Sequence, residues 1–269
     1  MIKIGKEVKI HSTARIDVKR GYIGDRTVIE EGVIIEGSCV EIGAESWIGE
    51  YASIGGGSCH DKESFLKTGD WFHLGPYAHI NTARGVTLGH EVGIGWRSSI
   101  FTHGAYESIL EGFPVQWEGV HIGDKVWLPN VWINPGVRIG SNIVVSAMSL
   151  INRNLPNGCL AGGVPAKILQ EDAYPRKLSN EERHKVLRDI LSQAINICYK
   201  DGNTPYTMIE GGYIIIIEGD RRIIFDTANH TIIGIVTPFS EVLKNQLRRN
   251  GIRFRYTAKE GEYVKWEEA

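Results

Sequence analysis

The chain has 269 residues, 42% of them apolar, which is enough for one long domain or two. A formal charge of −2 leaves no bulk excess of either sign, so composition makes no case for nucleic acid or for a membrane surface as a partner. The 4 cysteines form no C-x-x-C pair and read as reduced thiols of a cytoplasmic protein, and no apolar run reaches the roughly 18–20 residues that cross a bilayer.

An aliphatic residue returns almost every six positions from the start: Ile4, Ile10, Ile16, Ile23, Ile29, Ile35, Ile42, Ile48 and Ile54. The repeat runs on directly from Met1, with no secretory leader visible ahead of it. A helix stripe recurs at three and four and a half-buried strand at two, so six fits neither alone. Six is divisible by two, however, and each unit can be a short strand with one inward slot that is always aliphatic. A fixed hexapeptide period marks a parallel β-helix. Gly24, Gly43, Gly49 and Gly55 each follow an aliphatic member, where the backbone is expected to turn. The beat is lost across 56–72, returns at Leu74, Ile80, Leu88, Ile94 and Ile100, and is lost again across 104–119. These two breaks read as loops extruded from a rigid solenoid, the usual place for function. Ile122, Leu128, Ile133, Ile139, Val145 and Ile151 complete the series. The step from Leu128 to Ile133 is one residue short, with Pro129 inside it, and predicts a locally pinched coil. About seven or eight three-sided coils fit before residue 155.

Past 155–158 the composition changes. Residues 179–199 read as an amphipathic helix with Ser179 as N-cap and Glu182 completing a capping box. After a turn at 201–203 come strands at 213–218, 222–226 and 231–236, a helix at 239–250, and strands near 252–256 and 263–266. The expected organisation is a β-helix over 1–170 and a small α+β domain over 171–269.

Three segments carry a resemblance: Asn81-Thr82 followed by GVTLGHEVGIG (85–95), HIGDKVWLPNVWINPGVRIG (121–140) and CLAGGVPAKIL (159–169). Together they resemble the hexapeptide-repeat acyltransferases, nearest to the galactoside, maltose and polysaccharide O-acetyltransferases. That resemblance implies a mainly β fold, a left-handed parallel β-helix, with coenzyme A sites between the protomers of a homotrimer. It implies acetyl-CoA as co-substrate, with no metal, and a sugar or nucleotide-sugar acceptor.

Acyl transfer from a thioester needs a base for the acceptor proton and donors for developing charge. His103 opens the second break and matches the family's base. Asn81 resembles a family asparagine that contacts the acceptor. Trp117 and Glu118 stand at the far end of the same loop, where a flat ring suits a sugar, and a loop carboxylate (Glu107, Glu111 or Glu118) suits an imidazole. For the coenzyme, Ser146 and Ala147 match positions kept small beside the pantetheine. Gly162, Gly163 and Ala166 match the closing A-G-G-V-P-A-K run, and Arg153 and Lys167 offer cations to phosphate. Other readings of the same scaffold are N-acetylation of a nucleotide-linked amino sugar, a γ-type carbonic anhydrase, and a non-catalytic trimeric scaffold. The anhydrase needs three converging histidines, whereas His73 and His79 are one hexad apart and point apart on a triangular coil. A basic cluster in the terminal region, including Arg221, Arg222, Arg248 and Arg249, reads as a solvated face, with nucleotide-sugar phosphates as the alternative.

Overall fold

A computed structural model describes residues 2–199 and 204–265. The chain divides into two compact units, Met1–Arg176 and Lys177–Ala269. The turn expected at 201–203 and Trp266, the last residue of the expected final strand, lie outside the described residues.

The first unit is a three-sided parallel β-helix. On face I, Ile4 pairs with Ile23, Ile23 with Ile42, Thr68 with Leu88, Leu88 with Ile122 and Ile122 with Ile139. Face II stacks Ile10, Ile29, Ile48, Leu74, Ile94 and Leu128. Face III stacks Ile16, Ile35, Ile54, Ile80, Ile100, Ile133 and Ile151, one from each successive coil. From the second coil onward nearly every inward slot is fully buried, and the three columns merge into one continuous core. Burying each such side chain contributes about 1.5–3 kcal/mol against leaving it in water.

The first break hides a slot of the repeat. Leu66–Thr68 is a face I strand, with Thr68 in the aliphatic position. Its hydroxyl accepts from Gly43 N–H and donates to the Gly69 carbonyl, both at 3.1 Å, so a polar side chain sits in the column without an unmet hydrogen bond.

The glycines play a different part from the one expected of them. Gly43 is not in the left-handed region; Glu45, two residues on, is, at φ 58°. The same offset recurs as Gly24 and Arg26, Gly89 and Glu91, and Gly123 and Lys125. The turn itself is made by ordinary residues. A Cβ on Gly43 would lie 2.3 Å from the carbonyl of Gly69 in the next coil, so glycine is required there by the close approach of stacked backbones.

The short step from Leu128 to Ile133 is absorbed at a corner and leaves the ladder unpinched. Ile94 still pairs with Leu128, and Ile100 with Ile133. The fully buried Ser98 hydroxyl accepts from Val131 N–H at 3.0 Å and donates to the Leu128 carbonyl at 3.2 Å, serving both sides of the shortened corner.

In the second unit, α1 (Asn180–Cys198) carries the expected capping box of Ser179 and Glu182, and α2 (Pro238–Arg249) is capped by Thr237 with Pro238 in its first turn. They pack with a six-stranded antiparallel sheet over a core that includes Leu187, Ile190, Ile216, Phe225 and Leu243. An edge strand not expected from sequence, Tyr206–Glu210, pairs with Tyr213–Glu218, and the strand expected near 252–256 is instead Tyr256–Lys259.

Candidate functional site

Both breaks leave the solenoid along the same edge, where the chain passes from face III to face I. Residues 56–65 depart after Ser53–Gly55, and residues 101–119 after Ser99–Ile100. Between them, in the intervening coil, lies the short crossing from His79–Asn81 to Val86–Leu88. Three stacked crossings thus place Gly57, Asn81 and His103 beside one another.

Asn81 is buried, and its amide is fully used. Nδ2 donates to the carbonyls of Gly55 at 3.3 Å and Gly57 at 3.4 Å. With Nδ2 turned to two acceptors, Oδ1 must be the atom that receives Ala83 N–H at 3.2 Å and the Thr102 hydroxyl at 2.7 Å. His103 Nδ1 lies 3.0 Å from that same Oδ1. An amide oxygen only accepts, so Nδ1 carries the proton, and the lone pair of a neutral imidazole is left on Nε2. The imidazole is half-buried and stacks on Trp117 at 4.9 Å between ring centroids and 19° between planes. Trp117 is brought there by antiparallel pairing of His103–Gly104 with Gln116–Trp117. The loop beyond them, with Ile109–Glu111 as a single 3-10 turn, is exposed. A Cβ on Gly57 would lie 3.9 Å from both His103 Cε1 and Nε2, so the first excursion passes close to that edge of the ring.

The sequence-derived assignments divide accordingly. Asn81 is packed beneath His103 and has no open amide for an acceptor, because its polar atoms are engaged in the turn. Trp117 already has the imidazole on its ring, with the Arg84 guanidinium 4.8 Å from the ring centroid. Glu118 donates its backbone N–H to the Thr102 carbonyl at 3.0 Å, and its carboxylate faces Gly136, not His103. The orienting partner expected to be a loop carboxylate is therefore an amide. His79 is half-buried; its Nδ1 meets Ser53 Oγ at 2.8 Å, and burial holds its pKa below the ordinary histidine value. Thr102 and Arg84 were not singled out from sequence. Their only signal was adjacency to His103 and closeness to Asn81 in the chain.

The coenzyme candidates lie elsewhere on the prism. Ser146 and Ala147 are exposed at the corner between faces II and III, and Gly162 and Gly163 continue from face II into a hairpin, Leu160–Gly163 with Ala166–Gln170. A Cβ on Gly162 would meet Ser146 at 2.8 Å, so its lack of a side chain is already explained by internal packing. Ala166 is fully buried in the core and offers no surface to a ligand. Gly163 is exposed, with its N–H held by Ser149 Oγ at 3.0 Å, and Lys167 is exposed. Arg153 follows face III and stands on the same edge as His103, two coils further on. One chain therefore does not bring Ser146 and Ala147 together with His103.

Among the described residues no group of three or more His, Cys, Asp or Glu side chains is arranged to hold a metal ion. His73, His79 and His121 sit on faces II, III and I respectively. No helix among the described residues is long and apolar enough to cross a membrane.

No family model matches the chain. The chain is 28% identical over 155 residues to the galactoside O-acetyltransferase of Escherichia coli, covering 54% of this chain and 73% of that protein. It is 31% identical over 107 residues to WcaF of the same organism, named for acetyl transfer in colanic acid biosynthesis, and there it spans 58% of the relative's length. Among solved structures, the polysialic acid O-acetyltransferase OatWY aligns over 69% of this chain and 96% of its own, at 22% identity and a TM-score of 0.47. The chain is thus similar, through its first unit, to O-acetyltransferases, and that unit is a parallel β-helix.

Proposed function

We propose that this protein transfers an acetyl group from acetyl-CoA to a hydroxyl of a sugar or polysaccharide precursor, with His103 as general base. The observation that carries the reading is the Asn81–His103 contact at 3.0 Å. It assigns the proton to Nδ1 and leaves Nε2 free to take the acceptor's proton as its oxygen attacks. Trp117, stacked on the ring, keeps the imidazole plane fixed, and Gly57 of the first excursion lies close to the Cε1–Nε2 edge.

Acetyl-CoA supplies the activated acyl carbon. Small exposed side chains at Ser146 and Ala147 beside an exposed Gly163 suit the thin arm of a thioester, and Lys167 and Arg153 suit its phosphates. Because Ser146 and Ala147 stand at a different corner of the prism from His103, the site needs a neighbouring chain, which supports a homotrimer. Exposed aromatic side chains on faces II and III, Trp127 and Trp132, give such an assembly apolar surface to cover. The cytoplasm, where acetyl-CoA is made available, is the compartment this reading requires.

Release of free thiol from acetyl-CoA should depend on acceptor when a panel of sugars, oligosaccharides and nucleotide-linked amino sugars is offered. Turnover only with amines would move the reaction to N-acetylation. Absence of coenzyme A binding by calorimetry would leave a scaffold and remove the enzyme reading.

A further inference from the structure

Arg84 is a half-buried cation at the crossing between the two excursions, where the proposed mechanism gives it no task. Its side chain is 26% exposed, whereas its partners Asp61 and Glu63 are 55% and 59% exposed. Arg84 Nε lies 3.1 Å from Glu63 Oε2, and Nη1 lies 3.6 Å from Asp61 Oδ2. Both carboxylates belong to the first excursion. The same guanidinium stands 4.8 Å from the centre of the Trp117 ring, which belongs to the second. The base of the side chain is fixed as well: Arg84 N–H donates to Thr102 Oγ1 at 3.0 Å, and Nη1 donates to the Ala83 carbonyl at 2.7 Å. Few other side chains can serve here. A planar guanidinium can lie on a ring while its edge donates to carboxylates, whereas an ammonium cannot do both in one geometry.

We propose that Arg84 is a positioning residue that clasps the two excursions over His103. One grip holds the strand end carrying Trp117, hence the ring stacked on the imidazole. The other holds 58–64, hence the Gly57 backbone beside Nε2. Isolated, partly exposed ion pairs contribute little to global stability, so the effect falls on the order of the site and hardly on the fold. The inference rests on His103 being the base of the proposed reaction, but its first test reads the imidazole without turnover.

The rate at which diethyl pyrocarbonate modifies His103, followed by peptide mass spectrometry, measures access to Nε2. Arg84→Met should raise that rate severalfold while leaving the rate at the remote, exposed His11 unchanged. Asp61→Asn with Glu63→Gln should do the same in part, and Arg84→Lys should fall between wild type and Arg84→Met. In the transfer assay, Arg84→Met should lower kcat about tenfold with KM for acetyl-CoA unchanged. Combined with Trp117→Leu it should cost less than the sum of the two single losses, since one of its two grips acts through that ring. An unchanged His103 rate, parallel acceleration at His11, or additive losses in the double variant would each overturn the clasp. Should Arg84→Met not fold, the Asp61/Glu63 double variant, which keeps the arginine, is read by the same criteria. If no acceptor is ever found, the modification rates still decide.

Discussion

The two units of this chain are stabilised in different ways. In the β-helix each coil touches only the coil above and below it, and one column of aliphatic side chains per face repeats the same contact. In the terminal unit, α1 and α2 pack with a single sheet, and residues distant in sequence, such as Leu187, Phe225 and Tyr263, meet in one core. A repeating stack has no natural cleft, so chemistry must be placed where the repeat is interrupted. Here both interruptions emerge on one edge, and a third, short crossing supplies the asparagine that joins them. Among its described residues the terminal unit shows no comparable convergence; buried polar groups such as Tyr263, hydrogen-bonded to Glu241 and Ser240, serve packing.

The largest expected effect separates the interruptions from the stack around them. His103→Ala should leave the unfolding transition unchanged and lower turnover by on the order of 10²–10⁴. Wild-type turnover in that variant would remove the imidazole from the mechanism. Next, Asn81→Leu should lower kcat by about 10–100-fold, because it frees both tautomers of His103. It should also cost about 1–3 kcal/mol, since Ala83 N–H and the Gly55 carbonyl lose their partner. A loss confined to stability would mean that Asn81 holds the crossing but not the ring.

Smaller effects test the stack against the globular unit. Gly43→Ala places a carbon 2.3 Å from backbone of the next coil and should destabilise by about 1–3 kcal/mol in denaturant unfolding. Thr237→Ala in the terminal unit removes the cap of α2 and should cost about 1 kcal/mol, with no change in turnover. Gly261→Ala meets nothing within 4 Å but sits at φ 84°, and should cost roughly 1 kcal/mol or less. If Gly43→Ala were no worse than Gly261→Ala, close stacking of backbones would not be the reason for the glycines of the repeat.

Most of the solenoid was legible because its period is a local property. Each hexad states which side chain turns inward, and the stack repeats that statement. The first terminal helix was legible for a similar reason, since the cap at Ser179 acts on its own first turn; the Thr237 cap was not read, and α2 begins at Pro238, one residue before the expected start. Leu66–Thr68 and Tyr206–Glu210 escaped because a polar side chain fills the slot in one and an edge position needs little pattern in the other. The glycines were seen but misread, since a clash with the next coil is not visible in a single coil.

By itself, then, the sequence determined the three-sided stack, its breaks and the two terminal helices, and its resemblance to a family put His103 forward as the candidate base. Only the tertiary structure decided that Asn81 lies under the imidazole, that Trp117 covers it, that Arg84 joins both excursions, and that Ser146 and Ala147 stand on another edge. The physical reason is distance along the chain. Hydrophobic period and capping act over three to six residues, whereas those contacts are set by which crossings of the prism stack on one another.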